Sequence, residues 1–332
     1  MQTDYAEIRV YGRTITVPAV LIEDKTIVAT GAGVKTAFIR DEMAVERDFV
    51  HDPGSFITQL KRSALKADLF TFAQKPPAVT PRFNLPFELD NMAAVRVSSF
   101  QNWWENLPQE SRKNVRRAAK RGVIVRVAPF DDEFARGIHK ICNEAPVRQG
   151  RRFWHYGKDF ETVRREHATY LERSEFIGAY WKDELIGFIK MVYVDNNATL
   201  FHILAMNKHH DKRPMNALVA KAVEVCDQKK LCYLIYGQFT YGNKEQSSLA
   251  EFKRRNGFEQ INFPRYYVPL TLKGRCFISL GLHKGINGLL PSSVLGMLWK
   301  ARAWFYRVLT RANPAADTTP DSSQCKAGVA QR

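Results

Sequence analysis

Residues 247–259 read SSLAEFKRRNGFE, and the fold turns on how they are read. Ser248 and Glu251 have the spacing of a capping box, in which each side chain satisfies a backbone N–H at the start of a helix. Asn256-Gly257 offers a left-handed stop, after which Phe258 can fold back onto Leu249 or Phe252. A helix this short with both ends specified must occupy a defined place. It lies between two apolar, aromatic segments, LCYLIYGQ (231–238) and INFPRYYVPLTL (261–272), which read as strands, the second limited by Pro264 and Pro269.

Upstream of this helix the chain alternates between strand and helix patterns. DDEFARGIHKICNEAP (131–146) is amphipathic, with Phe134, Ile138 and Ile141 on one side. A basic aromatic loop, RQGRRFWHYGKDF (148–160), leads to a helix ending near Arg173. FIGAYW (176–181) and LIGFIKMVYV (185–194) form a hairpin, and ATLFHILAM (198–206) is a third strand. The polar loop NKHHDKRPMN (207–216) precedes a helix, ALVAKAVEVCDQKK (217–230), with Leu218, Ala222 and Val225 inward. Before residue 128 come short strands at ITV, TIVATG and KTAFIR, then a helix at 53–65 and a strand at 67–74. A proline-rich connection, the strand AAVRV (93–97), one or two helices stopped by Gly122 and the strand VIVRV (123–127) complete that part.

A chain of 332 residues, 45% hydrophobic, can bury a large core. Its net charge of +16 implies an anionic partner such as nucleic acid, a lipid surface or a phosphate-bearing substrate. The same composition also fits a basic protein whose charge only aids solubility. Five scattered cysteines without CxxC spacing argue against a disulfide framework and against a zinc site, and no metal is expected. They fit a reducing, cytoplasmic location. No secretory signal or stretch long and apolar enough for a membrane span is visible.

The order strand, strand, strand, helix, strand, helix, strand, with a helix in front, resembles the GNAT acyltransferase fold. SRKNVRRAAKRGVIV (111–125), DKRPMNALVAKAVEVC (211–226) and SSLAEFKRRNGFE together resemble the Fem-like branch of that superfamily, over roughly residues 20–272. The resemblance implies an α/β (α+β) protein of two GNAT-like units with mixed central sheets flanked by helices. Residues 1–128 would be a degenerate first half and 129–272 the acyltransferase half. It implies an acyl-CoA cosubstrate, with aminoacyl-tRNA as the alternative, and no permanently bound cofactor.

In such a fold two neighbouring strands diverge beside a helix N-terminus that can hold phosphate. Lys208, Lys212, Arg213 and Asn216 fall on that loop and first turn, with Pro214 suited to the first helical position. They also fit a solvated basic loop, and the loop lacks the glycines that ordinary acetyl-CoA users place there. The loop FTYGNKEQ (239–246) presents Tyr241, Asn243 and Lys244 towards the cleft, where a phenol can act as general acid or can simply pack. His202 sits on the strand that commonly carries the base in this fold, although a histidine in an apolar strand is often only a core residue. Arg148, Arg152, His155 and Tyr156 border the acceptor site by the same resemblance. Their chemistry suits an anionic acceptor, for which the resemblance suggests a cell-envelope precursor.

The segment 112–121 carries six Arg or Lys in ten positions, which suits RNA phosphate or anionic lipid. PSSVLGMLWKARAWFYRVLTR (291–311), within a basic C-terminal segment at 273–312, reads as an amphipathic helix for an anionic membrane surface or for docking on the body. Residues 313–332 read as a disordered tail. Two functional readings follow. The first is an N- or O-acyltransferase acting in the cytoplasm, peripheral at the inner face of the membrane. The second is a catalytically silent GNAT-like module that binds RNA or a membrane surface.

Overall fold

The computed structural model describes residues 4–10, 13–45, 52–148, 151–240 and 247–284. Residues Met1–Leu280 form one compact unit, and Gly281–Arg332 form a second, of which only a short turn at Leu282–Lys284 is described. The helix expected at 291–311 and the tail lie outside the described residues.

The first part contains β1 (Asp4–Val10), β2 (Arg13–Ile22), β3 (Lys25–Thr30), β4 (Thr36–Ile39), α1 (Pro53–Arg62), β5 (Leu69–Ala73) and β6 (Phe87–Arg96). Two helices follow, α2 (Phe100–Asn106) and α3 (Gln109–Lys120), and then β7 (Ile124–Ala128). The second part contains α4 (Asp132–Cys142), the ribbon β8 (Val147–Arg148) and β9 (Arg151–Arg152), and α5 (Phe160–His167). It continues with β10 (Ser174–Trp181), β11 (Glu184–Val194), β12 (Asn197–Ala205), α6 (Pro214–Gln228) and β13 (Tyr233–Ile235). The last elements are α7 (Ser248–Arg255), β14 (Glu259–Pro269) and α8 (Leu272–Ser279).

Among the described residues, twelve strands join in one sheet, ordered β1-β2-β3-β4-β5-β14-β6-β13-β12-β11-β10-β7. The mixed sheets expected for two units are therefore continuous. The order is mirrored about its centre. β4 and β5 run parallel with α1 between them, as β12 and β13 do with α6 between them. Each parallel pair is then extended by a strand from the other part of the chain: β14 lies beside β5, and β6 lies beside β13. β6 and β14 pair antiparallel over eight positions at the centre. β7, the strand that ends at residue 128, pairs with β10 at the far edge.

Pro264 does not limit β14, which runs through it. The Pro264 carbonyl accepts from the Gln74 amide just past the end of β5, so the proline costs the ladder only the one N–H it lacks, at the end of that pairing. The strand expected at 231–238 is short, because after Ile235 the backbone leaves β12 and bonds to Ala93 of β6.

Helix starts follow local chemistry. Asp52, Asp131 and Asp159 each accept backbone N–H groups at the starts of α1, α4 and α5. At α7 the cap is Ser247, one residue before the expected Ser248, and its hydroxyl accepts from the Ala250 amide at 3.1 Å. Glu251 does not reach back to close a capping box. Its carboxylate binds Arg254 and Arg255 on the exposed face instead. The stop is as expected: Gly257 has φ +79°, and the Phe258 amide donates to the Lys253 carbonyl at 3.0 Å. Phe258 packs against Tyr236, ring centroids 5.7 Å apart, in a cluster that includes Phe252, while Leu249 stays outside it.

One face of the sheet packs on α2, α3 and α6 through Trp103, Leu218, Val219 and Val223. The other packs on α4 and α5 through Phe134, Ile138, Phe176 and Phe188. Full burial of each such side chain contributes about 1.5–3 kcal/mol, enough to fix helix positions on the sheet.

Candidate active site

The central feature is a separation of strands. β12 pairs with β13 only at Asn197–Tyr233, Ala198–Leu234 and Thr199–Ile235. From Leu200 to Ala205, β12 keeps its ladder with β11 and has none with β13. Backbone groups on that edge therefore face a gap. A bulge lies at the start of the gap: Leu200 opposes Met191 and His202 opposes Lys190, leaving Phe201 as the extra residue. The bulge turns Phe201 and His202 towards the α4–α5 face.

His202 is half-buried there, its ring 4.4 Å from that of His167 and 6.4 Å from that of His155. His167 is fully buried and donates from Nδ1 to the Val163 carbonyl at 2.8 Å, which fixes the ring. Beside it lies Lys190, a fully buried lysine on β11. Its ammonium donates to the carbonyls of His167 and Thr169 and to the Thr169 hydroxyl. Burial pushes its pKa down to about 8. Tyr170, in a left-handed backbone conformation, bridges the two parts of the chain: its hydroxyl donates to Asp41 at 2.6 Å and its ring meets Phe201 at 5.8 Å.

The loop after β12 departs from the phosphate cradle expected of it. Glu144, beyond the end of α4, accepts the amides of Asn207 at 2.7 Å and Lys208 at 2.8 Å. Arg148 holds the same carboxylate at 3.1 Å and also donates to the carbonyls of Ala205 and Ile141, at 2.9 Å each. Arg148 is thus committed to fixing the end of β12, and its face stacks on Phe153. Lys208 pairs with Glu184, whose carboxyl is held below its usual range chiefly by that hydrogen bond. Lys212 lies over the Trp181 ring at 4.4 Å and near Asp211. Arg213 differs from both. It sits at the N-terminus of α6 with φ +59°, its Nε is buried without a hydrogen-bond partner among the described residues, and no side chain caps the helix. Asn216 binds Asn256 at 3.0 Å and ties α6 to the end of α7.

Of the acceptor-site residues, His155 is brought to His202, whereas Arg152 and Tyr156 stand exposed on the surface. Tyr241 and Asn243 lie outside the described residues. Sequence reasoning missed Lys190, His167, Glu144 and Lys253. Lys253 is fully buried on α7, donates to the Gln238 carbonyl and lies 4.5 Å over the Tyr236 ring; burial pushes its pKa down to about 8. A lysine inside the apolar run LIGFIKMVYV was a readable signal, whereas the Glu144 contact spans 63 residues and was not.

No family model and no curated protein matches the sequence. The structure is similar to the C-terminal domain of a protein from Agrobacterium fabrum assigned as a lysylphosphatidylglycerol synthetase. The two are 12% identical, with a TM-score of 0.51 over 80% of this chain and 88% of that one. It is also similar to FemX, at 10% identity and a TM-score of 0.52 over 84% of this chain and 90% of that one. At these identities the likeness is one of fold, and the fold is GNAT-like and Fem-like.

Proposed function

We propose that the chain is an acyltransferase that moves an aminoacyl group from aminoacyl-tRNA to the amine or hydroxyl of an anionic acceptor. The observation that carries the choice of donor is the Glu144 carboxylate on the Asn207 and Lys208 amides. A coenzyme A diphosphate laid on that loop would have to displace a hydrogen-bonded anion, so an acyl-CoA donor is disfavoured. The fold is shared with a protein whose assigned name couples a lysyl group with an anionic phospholipid, and this supports an aminoacyl donor.

In this reading the acceptor nucleophile attacks the donor carbonyl within the gap beside β12. Backbone N–H groups on the edge that β13 leaves, between Leu200 and Ala205, stabilise the oxyanion, and His202 removes the proton from the nucleophile. Tyr241 protonates or orients the leaving group. Arg213 and Lys212 provide positive charge for donor phosphates at the α6 N-terminus, and Arg152, His155 and Tyr156 line the acceptor side. The mirrored strand order supports reading residues 1–128 and 129–272 as two related halves that exchange a central strand. In the same reading the basic residues of 112–121 meet tRNA, and the segment 291–311 meets an anionic membrane on its cytoplasmic side. Among the described residues no helix is long and apolar enough to cross a membrane.

The test is turnover by purified full-length protein with a panel of aminoacyl-tRNAs and acyl-CoAs, offered with anionic phospholipid and soluble amine acceptors. Transfer from aminoacyl-tRNA that falls about 10²–10⁴-fold in His202→Ala is expected. Efficient transfer from acyl-CoA would overturn the donor assignment. Full activity in His202→Ala would overturn the role of that residue.

A further inference from the structure

A fully buried lysine is uncommon unless a carboxylate answers it, and Lys190 has none within hydrogen-bonding distance among the described residues. Its ammonium donates only to neutral oxygens: the His167 carbonyl at 2.8 Å, the Thr169 hydroxyl at 2.9 Å and the Thr169 carbonyl. The Phe176 ring lies 5.6 Å away. Glu172 favours the charged form through space, but its carboxylate pairs with Arg173 at 3.5 Å. The positive charge thus enters the interior without a bonded counter-charge, directly opposite His202 in the β11–β12 ladder. Side chains opposed in this way are near neighbours, with Cβ atoms about 4.5–5.5 Å apart. The oxygens that hold the ammonium belong to the end of α5 and the turn after it. The same stretch carries the His167 ring, 4.4 Å from that of His202, and the Tyr170 ring, which meets Phe201 beside it. An apolar side chain at position 190 would leave those buried oxygens without their donor. With its pKa near 8, the ammonium stays charged over the range in which an imidazole titrates.

We propose that Lys190 is a positioning residue for His202, fixing the turn that packs around the imidazole and opposing its protonation with a cation across the ladder. A base must be neutral when it takes the proton from the nucleophile, and a like charge nearby disfavours the imidazolium. The inference rests on the acyltransferase reading, in which His202 is that base. Other titratable and charged groups also pack around His202. They are His167 of α5, His155 of the loop before α5, and Tyr170 with Asp41 behind its hydroxyl. Glu166 of α5 is held by Lys158, and Arg173 stacks on Tyr170 while pairing with Glu172. Lys190 differs from these in standing opposite His202 on the neighbouring strand, fully buried.

In full-length protein His202 is titrated by NMR through its Cε1–H resonance, assigned by the signal lost in His202→Gln. Lys190→Met removes both the charge and the donor, whereas Lys190→Gln removes the charge and keeps a donor. The melting temperature of each variant confirms that it folds. The His202 midpoint is expected to rise by about one pH unit in both variants, a gain of about tenfold in proton affinity. In turnover with aminoacyl-tRNA, the acid limb of the kcat/KM profile is expected to move up with it. The kcat plateau should fall about 10- to 100-fold in Lys190→Met and less in Lys190→Gln, with the donor KM little changed. A lysine with a structural role alone would lower the plateau and leave the titration where it was. An unmoved His202 midpoint in both folded variants therefore overturns the proposal. So does turnover whose acid limb and plateau match the parent in both. A raised midpoint in a protein without turnover refutes the transfer reading and leaves the coupling of Lys190 to His202 intact.

Discussion

Replacing Glu144 by alanine is the most informative single perturbation of the loop after β12. The carboxylate accepts from two amides, at 2.7 and 2.8 Å, and from Arg148 at 3.1 Å, and its side chain is 13% exposed. A hydrogen bond to a charged group contributes about 1.5–3 kcal/mol, but solvent enters the vacated space and offsets part of the loss. The net expectation is a destabilisation of about 2–4 kcal/mol, which lowers the melting temperature by roughly 4–8 °C for a unit of this size. The variant also exposes two convergent amides and a guanidinium, the elements of an anion site. Inorganic pyrophosphate should therefore stabilise Glu144→Ala more than it stabilises the parent. At a hundred times its Kd the ligand restores about 2.7 kcal/mol. Differential scanning calorimetry of both proteins, with and without pyrophosphate, measures each quantity. If the parent is stabilised as much as the variant, the carboxylate does not occupy the site, and the argument against coenzyme A at this loop fails with it.

Lys190→Met should change how stability depends on pH. The folded pKa of about 8 lies below the unfolded value, so between pH 8 and 10.5 the unfolded chain binds more protons and stability rises with pH. The penalty for burying the charge, about 3 kcal/mol, is fully present below pH 8 and relieved by pH 10.5. Urea titrations at pH 7.5 and 10 should show this gain in the parent and a smaller one in the variant; equal gains would refute it. Gly257→Ala places a Cβ 2.7 Å from Trp103 Nε1 at φ +79°, and denaturant unfolding should register a loss of about 2–4 kcal/mol. Arg213→Ala should raise the donor KM more than it lowers kcat in steady-state assays, because its charge is assigned to binding. Liposome co-sedimentation of the full chain and of a chain ending at residue 284 should show anionic-lipid binding by the first only; equal binding by both would remove the membrane role of 291–311.

The parts of this fold that were legible in the sequence are those set by neighbours along the chain. Asn256-Gly257 ends α7 as read, because a left-handed residue and a returning phenylalanine are local requirements. The inward faces of α4 and α6 follow from helical spacing and are buried as expected at Phe134, Ile138, Leu218 and Val225. The cap of α7 was misread by one residue, because Ser247 and Ser248 offer the same hydroxyl and only the backbone turn selects between them. The length of β6 was underestimated for a different reason. Its outer half, at Glu88 and Asp90, is polar and charged. It is a strand because β14 pairs with it and because Arg265 of β14 binds Asp90 at 2.8 Å and Glu42 at 2.9 Å.

The site follows the same division. His202 was singled out because a histidine in an apolar strand stands out and because the fold resemblance gives that strand a role. What surrounds it was not legible. Lys190 meets His202 across a β-bulge, and bulges leave no mark in hydrophobic alternation. The basic residues were legible as charge but not as availability. Arg148, Lys208 and Lys212 all appear free in a sequence, yet each has a partner in the structure, at Glu144, Glu184 and Asp211. Arg148 and Arg213 each keep a buried Nε without a hydrogen-bond partner among the described residues, but Arg148 is held by Glu144 and two carbonyls, whereas Arg213 stands at the uncapped start of α6. A donor phosphate that uses the α6 N-terminus must therefore be held through Arg213. A carboxylate already fills the neighbouring amides, so the loop offers one anchoring point where a diphosphate would need two. In the proposed function that asymmetry, rather than the positive charge of the loop as a whole, is the argument for aminoacyl-tRNA over coenzyme A.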